Sequence, residues 1–283
     1  MGSTEFPEKM SIDEFSQYEI SNGEKNIKIN NIWWSQVRPL FYRTIFPFYI
    51  YDHDVIKPPN PAYLGGYQYS NNGSKKSNSY LNYIIFDDVR NYSVDKLSRN
   101  VKKSIKKAKE TAYVKKIIDL RELQEEGYNV YISFYNRTGY ACNKKRIQKH
   151  YYNEWATNLF NNKKIILLGA YVNDKLVAMA TMALVEDVAV GISSILHSDF
   201  LKYNISDLML HAQRELLSNC DGIKFMYAGM CGIEKSIDDF KLIRGGKIIK
   251  SPAYYYISPM AKIYLHTCGR NNLERMRGEK LYK

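Results

Sequence analysis

From Tyr113 onward the hydrophobic and polar positions follow clear periods. Tyr113 to Ile118 reads as a strand, and Leu120 to Arg137 and Lys145 to Leu159 as amphipathic helices. Three apolar runs follow, Ile165 to Val172, Lys175 to Val185 and Val188 to Ser198. Asn173-Asp174 is a two-residue hairpin signal and Glu186-Asp187 permits a second tight turn, so these runs predict an antiparallel meander. The period then changes. Ile205, Leu208, Met209, Ala212, Leu216 and Leu217 share one helical stripe over Ile205 to Leu217, and Gly222 to Ala228 is strand-like again, which predicts a β-α-β crossover. Ile237 to Ile243 reads as a short helix, and Lys247 to Ile249 with Ala253 to Ile257 as a final strand pair.

The first half is less regular. Trp33, Trp34 and the run Leu40 to Tyr51 are aromatic and apolar, whereas Pro58, Pro59, Pro61 and Gly65-Gly66 interrupt regular structure. Ser70 to Ser79, rich in Asn, Ser, Gly and Lys, reads as a loop and Tyr80 to Phe86 as a strand. A helix over Val94 to Glu110 places Leu97, Val101, Ile105 and Ala108 on one stripe and Arg99, Lys102, Lys103, Lys106, Lys107 and Lys109 around the rest, giving a basic face. The predicted organisation is an N-terminal region, 1–111, a regular α/β domain, 112–266, and a basic tail, 267–283, with Arg270, Arg275 and Arg277.

Composition changes this picture in two ways. With 283 residues, 45% hydrophobic and 14% aromatic, the chain can fill a real core, which argues against global disorder. A formal charge of +12 favours an anionic partner such as a nucleotide, tRNA or acidic lipid. No apolar run reaches the roughly twenty residues of a membrane helix, and the start of the chain lacks the pattern of a secretion signal. Cys142, Cys220, Cys231 and Cys268 are far apart without a Cys-x-x-Cys pair, which argues against disulfides and zinc. A cytoplasmic protein with reduced thiols and no metal is expected. Gly-x-Ser-x-Gly, Walker and His-Glu-x-x-His motifs do not occur.

The order β-α-α-β-β-β-α-β-α-β-β from Tyr113 to Ile257 resembles the GNAT superfamily of N-acyltransferases. Within it, LHSDFLKYNISDLMLHAQRELL and YAGMCGIEKSIDDFKLIRGGKI resemble the Fem-type branch of peptidoglycan aminoacyl transferases and N-acyl amino acid synthases, with Phe240-Lys241 and Gly245-Gly246 matching its Phe-Lys-x-x-x-Gly-Gly signature. The resemblance implies a mixed α/β fold with a mostly antiparallel central sheet flanked by helices, preceded here by a truncated GNAT-like half. It also implies that Lys241 lies near the acyl-transfer centre, where an ammonium stabilises developing negative charge.

The residues carry their own argument. The loop from Asp199 to Ile205 joins a strand to a helix whose first N–H groups lack intrahelical partners, a natural phosphate site formed by Lys202, Tyr203, Asn204, Ile205 and Ser206. Relatives usually place a glycine-rich loop here, and this sequence has no glycine in it. Its plain structural reading is a strand-helix loop capped by Asn204 or Ser206. For transfer to an amine, backbone N–H groups of Val188 to Ser198 can meet an oxyanion if a bulge turns one inward, Tyr227 can act as an acid or position the donor, and His197 or Asp199 can accept a proton. Trp33, Trp34, Tyr63, Tyr67 and Tyr69 are candidates to line an acceptor cleft. The expected function is N-acyl or aminoacyl transfer to an amine from acyl-CoA, acyl carrier protein or aminoacyl-tRNA. Coenzyme A thus enters as cosubstrate. The competing expectation is an inactive basic module in which the helix from Val94 to Glu110 binds nucleic acid or an anionic surface.

Overall fold

The computed structural model describes residues 7–73, 75–140, 143–232, 234–268 and 274–282, without the side chains of 266–268. Cys142, Arg270 and the side chain of Cys268 therefore lie outside the described residues. The chain forms two compact units, one of residues 1–11, 86–228 and 243–245, the other of residues 12–85, 229–242 and 246–283.

The first unit holds the meander expected from the sequence. Strands Ile165–Val172, Lys175–Val185 and Val188–Leu196 pair antiparallel in order, and Tyr113–Lys116 adds antiparallel to the first of them. The strand Phe225–Met230 pairs parallel with Val188–Leu196, and Lys9–Met10 parallel with Lys175–Val185. Every residue of Ile165–Val172 is buried, because helices cover both faces of the sheet. On one face Ile166, Leu168 and Ala170 join Leu208 and Met209 of the helix Ile205–Ser218 and Ala108 of the helix Arg99–Lys109. On the other, Tyr152 of the helix Lys149–Asn161 meets Met179 and the Leu123 carbonyl. Each large side chain buried this way contributes about 1.5 to 3 kcal/mol.

Local sequence explains the edges of these elements. Asp119 caps the helix Leu120–Thr138 by accepting from the Arg121 N–H at 2.8 Å. Asn173 and Asp174 both take positive φ, 49° and 60°, as a type I′ hairpin turn requires. Gly127 of the helix Leu120–Thr138 is there for close approach: a Cβ would come within 2.6 Å of the Tyr152 hydroxyl and 2.9 Å of the Met179 sulfur.

The second unit is a sheet with the order Asn26–Ile29, Ile32–Arg38, Phe41–Thr44, Gly66–Ser70, Lys247–Ile257, Ser79–Phe86. All neighbours in it are antiparallel except Phe41–Thr44 with Gly66–Ser70. The helix Ile12–Ser21 precedes these strands, and Trp34 and Tyr69, both fully buried, anchor an aromatic core.

Three expectations are corrected. The helix placed over Val94 to Glu110 begins only at Arg99, because Leu97 and Ser98 are extended, and Val94–Lys96 is a separate 3₁₀ turn. Leu97 therefore leaves the apolar stripe, while Val101, Ile105 and Ala108 remain buried. The final strand pair is one strand, Lys247–Ile257, which changes partner at Ala253. Pro252 fits there because its carbonyl, accepting from the Asn71 N–H, points to the side where that ladder has not begun, so no ladder donor is lost. Trp33, Trp34 and Tyr69 are core residues with 6%, 0% and 0% exposure, so they cannot line an acceptor cleft.

Candidate active site

In the first unit, the strands Val188–Leu196 and Phe225–Met230 stay in register for only three pairs, from Val188 with Phe225 to Val190 with Tyr227. A bulge between Gly191 and Ser193 then bends the first strand away. The register shift lies just past the end of the ladder beside Tyr227. Gly191 sits at the fork, where a Cβ would press on the Tyr227 carbonyl at 3.3 Å.

Beyond the bulge lie the residues expected to bind phosphate. Ser198–Tyr203 is a 3₁₀ turn that runs directly into the helix Ile205–Ser218 through Asn204, which takes φ 57° and makes no side-chain cap. The Asp207 and Leu208 N–H groups donate to the Asn204 carbonyl, so the amides at the mouth of the helix are those of Ile205 and Ser206. Lys202 is exposed with its ammonium 5.2 Å from the centre of the Tyr203 ring.

His197 and Asp199 stand together at the start of this turn. The His197 Nδ1 accepts from the Asp199 N–H at 3.4 Å and lies 3.9 Å from its carboxylate. His197 also lines an open groove of about 670 Å³ with Arg137, Lys175, Tyr128, Ser133 and Ser198. Ser133 closes one wall through two 3.0 Å hydrogen bonds with Ser198. The groove offers the Arg137 and Lys175 side chains and several hydroxyl groups, a lining suited to an anion.

Sequence reasoning missed the buried charges beneath the helix mouth. Asp207 receives the Arg244 guanidinium through two bonds, at 2.6 and 3.0 Å. The Arg244 carbonyl accepts from Arg214 at 2.6 Å, and Arg214 also donates to Asp88 at 2.6 Å. The Arg214 guanidinium lies 4.6 Å from the Phe86 ring centre and 4.1 Å from that of Tyr92. Tyr92, whose hydroxyl burial pushes up to about 12, bonds His211 Nδ1 at 2.8 Å. Asp207, His211 and Arg214 recur at i, i+4 and i+7, one side of a helix, and that spacing is the signal that would have found them. Their arrangement fixes Arg244, the residue before the glycine pair, to the helix Ile205–Ser218.

Lys241 belongs to the second unit, on the helix Lys235–Ile243. It is half-buried, and a Cβ on Gly229 would lie 3.8 Å from its ammonium. Burial holds its pKa below the ordinary lysine value, while Asp238 and Cys231 push it back up. Asp238 is buried, accepting from the Gly232 N–H at 2.8 Å and the Tyr282 hydroxyl at 3.0 Å. Cys231 is no ready nucleophile, since burial and Asp238 raise its thiol to about 12 against a smaller opposing pull from Lys241. Among the described residues no cluster of His, Cys, Asp and Glu could hold a metal ion, and no helix is long and apolar enough to cross a membrane.

Strand order and helix placement give a mixed α/β fold whose central sheet is mostly antiparallel and flanked by helices. No family model and no curated protein matches the sequence. Among solved structures the chain is similar to FemX, with 9% identity, 94% of this chain and 95% of that one covered, and a TM-score of 0.57. It is similar as well to the C-terminal domain of a putative lysylphosphatidylglycerol synthetase from Agrobacterium fabrum, at 9% identity, 87% and 88% coverage and a TM-score of 0.54. A conserved protein of unknown function from Bacteroides thetaiotaomicron gives 10% identity, 88% and 92% coverage and 0.54. At these identities the likeness is one of fold.

Proposed function

We propose that this protein is an acyltransferase that moves an acyl or aminoacyl group from a phosphate-bearing donor to an amine. What supports the reading is that the ladder between these two strands ends at Val190 and Tyr227 next to a register shift at Gly191, which makes the backbone N–H groups just past it the candidate donors. Donors held by backbone need no reorganisation as charge develops on an attacked carbonyl. The acceptor nitrogen attacks the donor carbonyl carbon, a C–N bond forms, and the C–S or C–O bond to the leaving group breaks. The amine proton passes to a base, for which His197 and Asp199 are the candidates in the first unit, and the leaving group takes a proton from Tyr227 or solvent. A charge-stabilising role for Lys241 is supported separately, by the resemblance of Phe240-Lys241 and Gly245-Gly246 to the Fem-type signature. The donor's phosphates lie on the Ile205 and Ser206 amides with Lys202, and coenzyme A, carrier protein and tRNA all present such phosphates. FemX as a structural neighbour supports this direction without fixing the donor.

The test is a donor panel. Acetyl-CoA, a long-chain acyl-CoA, an acyl carrier protein and an aminoacyl-tRNA are each incubated with the protein and a mixture of amines, and products are read by mass spectrometry. One donor class should acylate an amine, and where that donor is a CoA thioester, Ser206→Pro should abolish the rise in melting temperature that CoA produces. Folded protein that transfers nothing from any of the four contradicts the proposal.

A further inference from the structure

A second concavity lies wholly within the second unit, a pocket of about 360 Å³, within the range of small-molecule sites. Three arginines and a lysine line it, Arg38, Arg43, Arg275 and Lys280, and among the described lining residues none is acidic. Arg38 and Arg275 have no carboxylate partner among the described residues: Arg38 lies 3.7 Å from the Met276 sulfur and Arg275 donates to the Gly232 carbonyl at 2.7 Å. Collecting like charges in one concavity costs energy in the empty protein, and an anion removes that cost.

The walls are held from behind. Arg43 and Gln68 are register partners on parallel strands, and the fully buried Gln68 accepts from Arg43 at 3.2 Å while donating to the Ser79 hydroxyl and the Tyr80 carbonyl, each at 3.3 Å. One cationic fork is thereby aimed. The opposite wall, residues 274–282, docks on the strand Ser79–Phe86 through Tyr80 N–H to the Arg277 carbonyl at 2.8 Å and Asn82 to the Gly278 carbonyl at 3.0 Å. Gly278 is required there, because any Cβ would collide with the Tyr80 carbonyl.

We infer that this pocket binds a phosphate group, and that its ligand is a compact phosphate ester. Planar guanidinium forks match phosphate and carboxylate alike, but three of them with an ammonium supply more charge than one carboxylate carries, whereas a phosphate monoester brings up to two charges and three accepting oxygens.

The inference is independent of the acyl-transfer reading, and its test uses no acyl donor. Titration calorimetry with inorganic phosphate and pyrophosphate, and with malonate as the dicarboxylate, is run at fixed ionic strength on the wild type, Arg38→Gln, Arg275→Gln and, in the other unit, the exposed Lys163→Gln. Phosphate and pyrophosphate should bind the wild type and Lys163→Gln equally well. Each arginine variant should bind them about tenfold more weakly, the loss expected for one charge-assisted hydrogen bond. Arg38 is exposed, so its variant keeps the fold and the test stands even where Arg275→Gln unfolds. Undiminished affinity in Arg38→Gln, absence of phosphate binding, or malonate binding as tightly as pyrophosphate overturns the inference. Failure of the donor panel with this pattern intact would sink the catalytic reading alone, and the reverse would sink the pocket alone.

Discussion

The two units treat their arginines in opposite ways. In the first, Arg244 and Arg214 meet Asp207 and Asp88 at hydrogen-bond distance. In the second, Arg38 and Arg275 face a pocket whose described lining holds no carboxylate. Charges that satisfy one another hold a segment in place, here the turn before the glycine pair. Charges gathered without a counterion point to something that arrives from outside.

The sharpest way to break this comparison is to remove one member of the satisfied set. Asp207→Ala leaves the Arg244 guanidinium without its carboxylate in a buried site and should cost about 3 to 5 kcal/mol of stability in urea unfolding. Asp207→Leu combined with Arg244→Met should recover most of the loss, since a buried pair can be replaced by apolar groups of similar size. A single variant as stable as the wild type would show that the pair holds nothing together.

Acid-base behaviour sharpens the contrast. In the second unit Glu19 accepts from Asn26 at 2.9 Å, yet burial pushes its carboxyl up to about 7, with Glu24 adding to the rise. A folded pKa above the unfolded value near 4.3 means that its contribution is complete below pH 4.3 and is lost as pH rises through about 7. Glu19→Gln should therefore stabilise the protein at pH 8 by about 1 to 3 kcal/mol and change little at pH 4. Melting curves across that range test it, and an identical shift at both ends would refute it.

In the first unit the sign reverses. Burial, then the charge of Lys109, holds His211 below the ordinary histidine pKa, with Arg214 acting the same way and Glu215 opposing. The unfolded chain then takes up a proton near pH 6.5 that the folded chain refuses, so stability present above that pH is lost as pH falls. His211→Gln should flatten the acid side of the profile, the smallest of these effects, and a profile unchanged between pH 7 and 5 would remove His211 as its source.

What could be read from sequence follows the same division. The meander and crossover were legible because Ile165–Val172, Lys175–Val185 and Ile205–Ser218 bury regular apolar patterns bounded by explicit turns. The strands Asn26–Ile29 and Phe41–Thr44 were not, being four residues long and stabilised by pairing rather than by a period of their own. The loop 202–206 and Lys241 were singled out from local sequence alone. The Asp207–Arg244 pair spans 37 positions, and the cationic pocket draws Arg38 and Arg275 from opposite ends of the chain, a juxtaposition that only the fold creates.

Lys241 carries the central claim. Lys241→Met keeps the length of the stem and removes the charge at a half-buried position. Because only interactions stronger in the transition state than in the ground state speed the chemical step, turnover with the donor that the panel identifies should fall roughly a hundredfold or more. Donor affinity should stay within about twofold of the wild type, since uniform binding is not what this ammonium provides. Steady-state kinetics beside direct donor titration on the same preparation decide it: a collapsed kcat with intact affinity is the predicted result, and wild-type kcat in Lys241→Met contradicts the account.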